Sequence, residues 1–208
     1  MARRTKQEAE QTRQALLDTA LRLFSERGIG QTSLKDVAAE TGVTHGALYW
    51  HFKNREDLVQ ALYERSRLPL DELQLEQMQA ARQDGIKALG DFLLQWCEML
   101  LDNSQHGQIW QVFHRGSAQT PELVALSEAI EQEHAEWRDR ISLFVKNARK
   151  QKQIKLKVKD PAELDSAAAN LMVLVFGLID SQLTAPTLVT PENTFKPVIR
   201  TYLKGMQS

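Results

Sequence analysis

From Leu123 to Ala148 the residues Leu123, Leu126, Ile130, His134, Trp137, Ile141, Phe144 and Ala148 follow one another at steps of three and four. That spacing lays a single stripe along about seven turns of helix, and no strand, with its period of two, could bury it. The same period runs through Gln11–Arg27, where Leu16, Leu17, Ala20, Leu21, Leu23 and Phe24 form the inner face. It returns in Ile86–Leu101, Pro161–Leu183 and Thr194–Met206. Ile154–Val158 alternates, but it is flanked by lysines and reads as a loop. The chain is therefore expected to be all-α. Its punctuation divides it unevenly: Gly28, Gly30 and Gly42 close short helices early, and Leu68-Pro69 should break a helix. Three short helices precede a larger helical bundle.

The first part holds the most specific segment, Ser33–Lys53, SLKDVAAETGVTHGALYWHFK. Ser33 and Asp36 have the spacing of a capping box for a helix over Leu34–Glu40. Gly42 supplies a tight turn, and Thr44 is a good N-cap for a second helix over His45–Phe52. Two short helices joined this way form a helix-turn-helix, whose second helix enters the DNA major groove. Leu48 and Phe52 would anchor that helix, while Thr44, Gly46, Tyr49, His51 and Lys53 supply small groups and polar donors toward DNA. A plain core hairpin has little use for such an exposed His-Gly-Ala start and Tyr-Trp-His cluster. Asn54 then caps a further helix that carries Glu56 and Asp57 in its first turn.

Composition narrows the alternatives. A single cysteine, Cys97, cannot make an internal disulfide. The longest apolar run, Leu171–Ile179, is short of a membrane span, and the charged N-terminus does not read as a secretory signal. A cytoplasmic, soluble protein with no membrane partner is the expectation. The net charge of −1 argues at first against DNA, but it conceals polarity. Residues 1–55 carry 9 Lys+Arg against 6 Asp+Glu, a surplus of +3, and residues 56–208 carry 17 against 21, or −4. The same boundary gives the expected domains: 1–55 for DNA binding and 56–208 for ligand binding and dimerisation.

The stretch TSLKDVAAETGVTHGALYWHFKNREDL closely resembles the helix-turn-helix signature of TetR-family transcriptional repressors. The start MARRTKQEAEQTRQALLDTALRLFSERG is similar to the AcrR-type multidrug-efflux repressors of that family. The resemblance is sharp over roughly residues 1–65 and architectural beyond. It implies a repressor that binds a palindromic double-stranded operator as a homodimer and is released by an amphipathic or aromatic inducer. It also implies phosphate contacts from Ser33, Thr44, Tyr49, His51 and Lys53, with position 45 as the main base reader. The common pattern there is VTRGA, and this chain has His45 in place of arginine. A neutral imidazole offers one donor and one acceptor where arginine pairs bidentately with guanine, so base preference should differ. Binding should also strengthen below about pH 6.5, the unperturbed histidine pKa. Arg3, Arg4 and Lys6 form either a minor-groove arm or a solvated tail.

For the second part, the resemblance implies dimerisation through the last two helices and a ligand pocket. The candidate lining is Trp96, Trp110, Phe113, His134, Trp137 and Phe176, though aromatic stripes at helical spacing also build plain cores. His134 is either a pocket hydrogen-bonder or a core histidine with a neighbour. Arg67 stands near a point of the linker helix where AcrR-like proteins often carry an acid suited to cationic drugs, and an arginine there would instead favour anionic amphipaths. Pro69 would localise a bend between reading head and pocket. No cofactor, metal or catalytic residue is expected. The competing readings are a helical metallo-oxidase, which Glu131-x-x-His134 alone cannot supply with ligands, and a redox regulator acting through Cys97. The basic run Lys146–Lys159 reads as a solvated helix end and loop, or as a second nucleic-acid surface.

Overall fold

The computed structural model describes residues 6–66, 70–102, 104–114, 120–154 and 161–207. Arg3, Arg4, Arg67, Pro69 and the end of the basic run (Lys155, Lys157 and Lys159) lie outside them. The described residues form helices and turns, with no strand among them. In chain order the helices are α1 (Lys6–Arg27), α2 (Leu34–Thr41), α3 (His45–His51), α4 (Arg55–Ser66), α5 (Leu70–Ala80), α6 (Gly85–Asp102), α7 (Ser104–Ile109), α8 (Pro121–Ala125), α9 (Ser127–Lys150), α10 (Pro161–Thr184) and α11 (Lys196–Gln207). A 3-10 turn, Ile29–Gln31, follows α1, and π turns Trp110–His114 and Pro191–Phe195 follow α7 and precede α11.

The chain packs as two compact units, Met1–Arg67 with Ser104–Ile130, and Leu68–Asn103 with Glu131–Ser208. Packing thus does not divide the chain at residue 55. Leu58, Val59, Leu62 and Tyr63 of α4 share one core with Leu16, Leu21 and Phe24 of α1 and Leu48 of α3. Ile109, Val112, Phe113 and Leu126 complete that core from far along the sequence. An ion pair secures the same unit. Glu122 of α8 is buried and accepts from Arg55 Nε, and Arg55 Nη1 also donates to the carbonyls of Ile29 and Thr32. Burial pushes the Glu122 carboxyl up, but its backbone hydrogen bond and those from Arg55 and Thr120 outweigh that and hold it below its ordinary range.

In the second unit α6 is the central helix, with Leu89, Phe92, Leu93, Trp96, Cys97 and Leu100 all buried. Phe92 stacks on Phe144 of α9 with centroids 4.8 Å apart. Leu171, Val175 and Ile179 of α10 and Ile199 and Leu203 of α11 are also buried in this unit.

Several local expectations change. Gly28 takes the positive φ that ends α1, whereas Gly30 lies inside the 3-10 turn with no such need. The stripe from Leu123 to Ala148 is not one helix: it breaks at Leu126 (φ −93°, ψ −3°), whose N–H closes a turn onto Glu122 and Leu123. Helix α5 has no clean apolar stripe, because its buried face, Leu70, Leu73 and Gln77, includes a glutamine while Leu75 points to solvent. Glu163–Thr184 is, by length and composition, long and apolar enough to cross a membrane, which the run Leu171–Ile179 alone does not reveal. A third of the qualifying window is buried in the protein.

Candidate nucleic-acid interface and aromatic cluster

The hairpin α2–α3 is built from caps that its own sequence provides. Ser33 Oγ accepts from Asp36 N–H and donates to Asp36 Oδ2 (2.6 Å), while the Ser33 N–H donates to the same carboxylate (2.8 Å). Those bonds from Ser33 hold the Asp36 carboxyl below its ordinary range. They also commit the hydroxyl proton of Ser33 to the cap, so a phosphate contact there needs that proton to turn away. Gly42 adopts the left-handed conformation (φ 74°, ψ 25°), and Val43 N–H returns to the Ala38 carbonyl. A side chain at Gly42 would be strained, which fixes why this turn needs glycine.

Thr44 Oγ1 accepts from Ala47 N–H and starts α3. Leu48 and Phe52 are buried, and the guanidinium of Arg13 lies 5.2 Å from the Phe52 ring. On the other side Thr44, His45, Gly46, Tyr49 and Lys53 are exposed, and His51 is half-buried. His45 and Tyr49, one turn apart, meet edge to face at 4.6 Å. A Cβ added at Gly46 would meet nothing within 4 Å, so the protein's own packing does not demand glycine there. Trp50, part of the Tyr-Trp-His cluster but not among the DNA contacts expected from the sequence, is 73% exposed on this helix. Its place between Tyr49 and His51, off the anchoring spacing of Leu48 and Phe52, is the signal that could have found it.

The second unit brings together four of the predicted pocket residues. Trp96 of α6, His134 and Trp137 of α9 and Phe176 of α10 form one aromatic cluster. Trp96 and Trp137 meet at 5.2 Å, His134 and Trp137 at 5.1 Å, and His134 and Phe176 at 5.2 Å. Burial lowers the His134 pKa, partly offset by Glu131, so the cluster is neutral near pH 7. Trp96 Nε1–H is buried with no hydrogen-bond partner among the described residues. Such a donor carries a desolvation cost unless something accepts from it. Ser142 Oγ and Gln182 Oε1 are further buried polar atoms of this unit without partners among the described residues, and neither was foreseen. Phe113 and Trp110 belong instead to the first unit, where Phe113 packs on Tyr63 at 5.3 Å. Arg67 lies outside the described residues.

Among the described residues no three His, Cys, Asp or Glu side chains gather to hold a metal. Cys97 is buried, and burial with nearby Glu98 pushes its thiol up to about 12. A thiol held so firmly in its protonated form is a poor start for redox sensing.

A helix-turn-helix with an anchored second helix and a polar outer face, followed by a helical bundle, defines a DNA-binding regulator. The chain matches the family of bacterial regulatory proteins named tetR over residues 16–62. It is 34% identical to the HTH-type transcriptional regulator AcrR of Shigella flexneri over 188 residues, covering 89% of this chain and 85% of that one. It is 32% identical to the regulator TtgR of Pseudomonas putida, over 91% of this chain and 88% of that one. The crystal structure of NalD, described as the secondary repressor of the MexAB-OprM multidrug efflux pump in Pseudomonas aeruginosa, superposes with a TM-score of 0.78. That comparison spans 97% of this chain and 98% of NalD at 26% identity. The chain belongs to the TetR family of transcriptional regulators.

Proposed function

We propose that this regulator is a homodimeric repressor of a multidrug efflux operon, with α3 as its reading helix and the aromatic cluster as its inducer site. The observation that carries the reading is the outer face of α3: His45, Gly46, Tyr49 and Trp50 are exposed on a helix whose inner face is fully buried. Gly46 is a glycine that the fold itself does not require, and it suits close approach to a DNA backbone. Thr44, Tyr49, His51 and Lys53 are the phosphate donors, and His45 is the base reader. Residues 1–55 act as the DNA-binding part and 56–208 as the ligand-binding and dimerisation part. The likeness to NalD, a repressor of a multidrug efflux pump, supports efflux control.

Dimerisation is assigned to α10 and α11. Ser166, Asn170, Val173, Gly177 and Ser181 line one exposed side of α10, where small residues let another helix come close. Two heads must reach successive major grooves about 34 Å apart, which one chain cannot do. The inducer is aromatic and uncharged where it meets the cluster, with an acceptor for Trp96 Nε1–H. Ligand and operator then weaken each other reciprocally, because each favours a different conformation.

The test uses a duplex enriched from a random library by the wild-type protein, read by fluorescence anisotropy. Dimer-dependent binding that neutral N-phenyl-1-naphthylamine reverses supports the reading, and His45→Arg should shift the enriched sequence toward guanine. A monomer that binds equally well, or an enriched sequence unmoved by His45→Arg, would contradict it.

A further inference from the structure

A second concavity lies on the second unit, away from the aromatic residues. It is an open groove of about 810 Å³ along α5 and α9, and no aromatic or acidic residue is among its lining. Its apolar part comes from Leu75 and Met78 of α5 and Leu143 of α9, with Leu75 67% and Leu143 44% exposed. Its polar part is strongly basic. Arg82, just past α5, and Lys146, Arg149 and Lys150 of α9 all face it. Along both segments apolar residues precede basic ones, Leu75 and Met78 before Arg82, and Leu143 before Lys146 and Lys150, at steps of three and four. The groove is therefore bipolar, apolar at one end and cationic at the other.

Side-chain amides hold it in shape. At the apolar end Arg140 Nη1 donates to Gln74 Oε1 (2.7 Å), tying α9 to α5. At the basic end Asn147 Nδ2 and Gln151 Nε2 both donate to the Ala81 carbonyl, and Gln151 Oε1 accepts from Gly85 N–H. Gln153 continues the clamp, accepting from Ile86 N–H and donating to Asp84. Lys152 takes a positive φ (61°) to turn the chain into this clamp. Gly85 sits so close to Ala148 that a Cβ would lie 2.8 Å from its backbone nitrogen. A cation or two at a helix C-terminus is ordinary dipole compensation. Arg82, Lys146 and Lys150 around a pinned groove, beside the exposed side chains of Leu75 and Leu143, exceed that need.

We propose that this groove is a second ligand site, specific for a single-chain anionic amphipath. The alkyl chain lies over Leu75, Met78 and Leu143, and the carboxylate or sulfate sits among Arg82, Lys146 and Lys150. Charge complementarity selects this class: a cationic or neutral amphipath of equal length finds the same apolar surface and none of the attraction. The site is separate from the aromatic inducer cluster, and its test does not depend on that assignment.

The experiment is calorimetric titration of the full-length protein with dodecanoate below its micellar range, with dodecyltrimethylammonium and dodecyl maltoside as counterparts. Lys146 and Lys150 are exposed, so Lys146→Gln/Lys150→Gln should fold normally, as circular dichroism verifies. The expected result is one dodecanoate per chain, weakened at least tenfold in that double variant and restored in Lys146→Arg/Lys150→Arg. Leu143→Asn should weaken dodecanoate severalfold and leave acetate without measurable binding. Equal binding of the cationic counterpart, or a dodecanoate isotherm unchanged by the glutamine pair, would overturn the proposal. So would a glutamine pair that lowers only affinity for non-specific duplex DNA, which would make the surface a nucleic-acid contact.

Discussion

The α3 face and the aromatic cluster solve opposite problems. On α3 the groups assigned to function point outward, and the apolar side chains Leu48 and Phe52 only hold the platform. In the cluster Trp96 and Trp137 are themselves core residues, and any role in recognition shares their atoms with stability. Function and folding should thus be separable in the first region and entangled in the second.

The largest expected effect lies under α3. Leu48→Ala should cost about 3 kcal/mol, because it empties a fully buried site. Thermal melting would register this as a clear loss of stability, with operator binding lost alongside. Trp50→Ala, by contrast, should leave the melting temperature nearly unchanged, since exposed substitutions stay within about 0.5 kcal/mol. Its operator affinity, measured by anisotropy, should fall roughly tenfold, the size of one good interfacial contact. If Trp50→Ala destabilises as Leu48→Ala does, the separation of reader and anchor fails.

In the cluster, Trp96→Phe trades a fully buried indole for a smaller ring, so stability should fall by about 2 kcal/mol as the vacated space opens. Binding of N-phenyl-1-naphthylamine, followed by its fluorescence, should also weaken measurably. A smaller effect is carried by pH. The His134 pKa is lowered on folding by burial, so the native state takes up a proton less readily than the unfolded chain. Stability is then complete above about pH 6.5, the ordinary value, and declines as pH falls from there through the lower folded value. Thermal melts of His134→Gln should show a flatter profile across that window. The Glu122–Arg55 pair acts lower down: stability present above the ordinary glutamate pKa of 4.5 is lost as pH falls through the lower native value.

These regions also differ in how far their sequences disclose them. The caps of α2 and α3, the turn at Gly42 and the anchors Leu48 and Phe52 involve residues within a few positions of each other, so spacing reveals them. The Ser33–Asp36 box and the Thr44 cap occur where the pattern places them. The cluster joins positions 96, 134, 137 and 176, and nothing in helical periodicity distinguishes them from Trp110 or Phe113. Those two share the same local pattern and belong to the other unit. The break at Leu126 was hidden because the three-and-four spacing continues through it on both sides. Arg55–Glu122 and the amide clamp at Gln151 are pairings across 66 or more residues, again without local signature. The charge run at Lys146–Lys150 was visible as a run, but its meaning depends on Arg82 and Leu75 arriving from another helix.

The central claim is that the outer face of α3 reads DNA sequence through His45. It is tested most directly by anisotropy titration of wild type and His45→Ala against the enriched palindromic duplex and a scrambled duplex of equal length. The account predicts at least a tenfold loss on the palindrome, little change on the scrambled duplex and an unaltered melting temperature. Equal affinity of both proteins for the palindrome would contradict it.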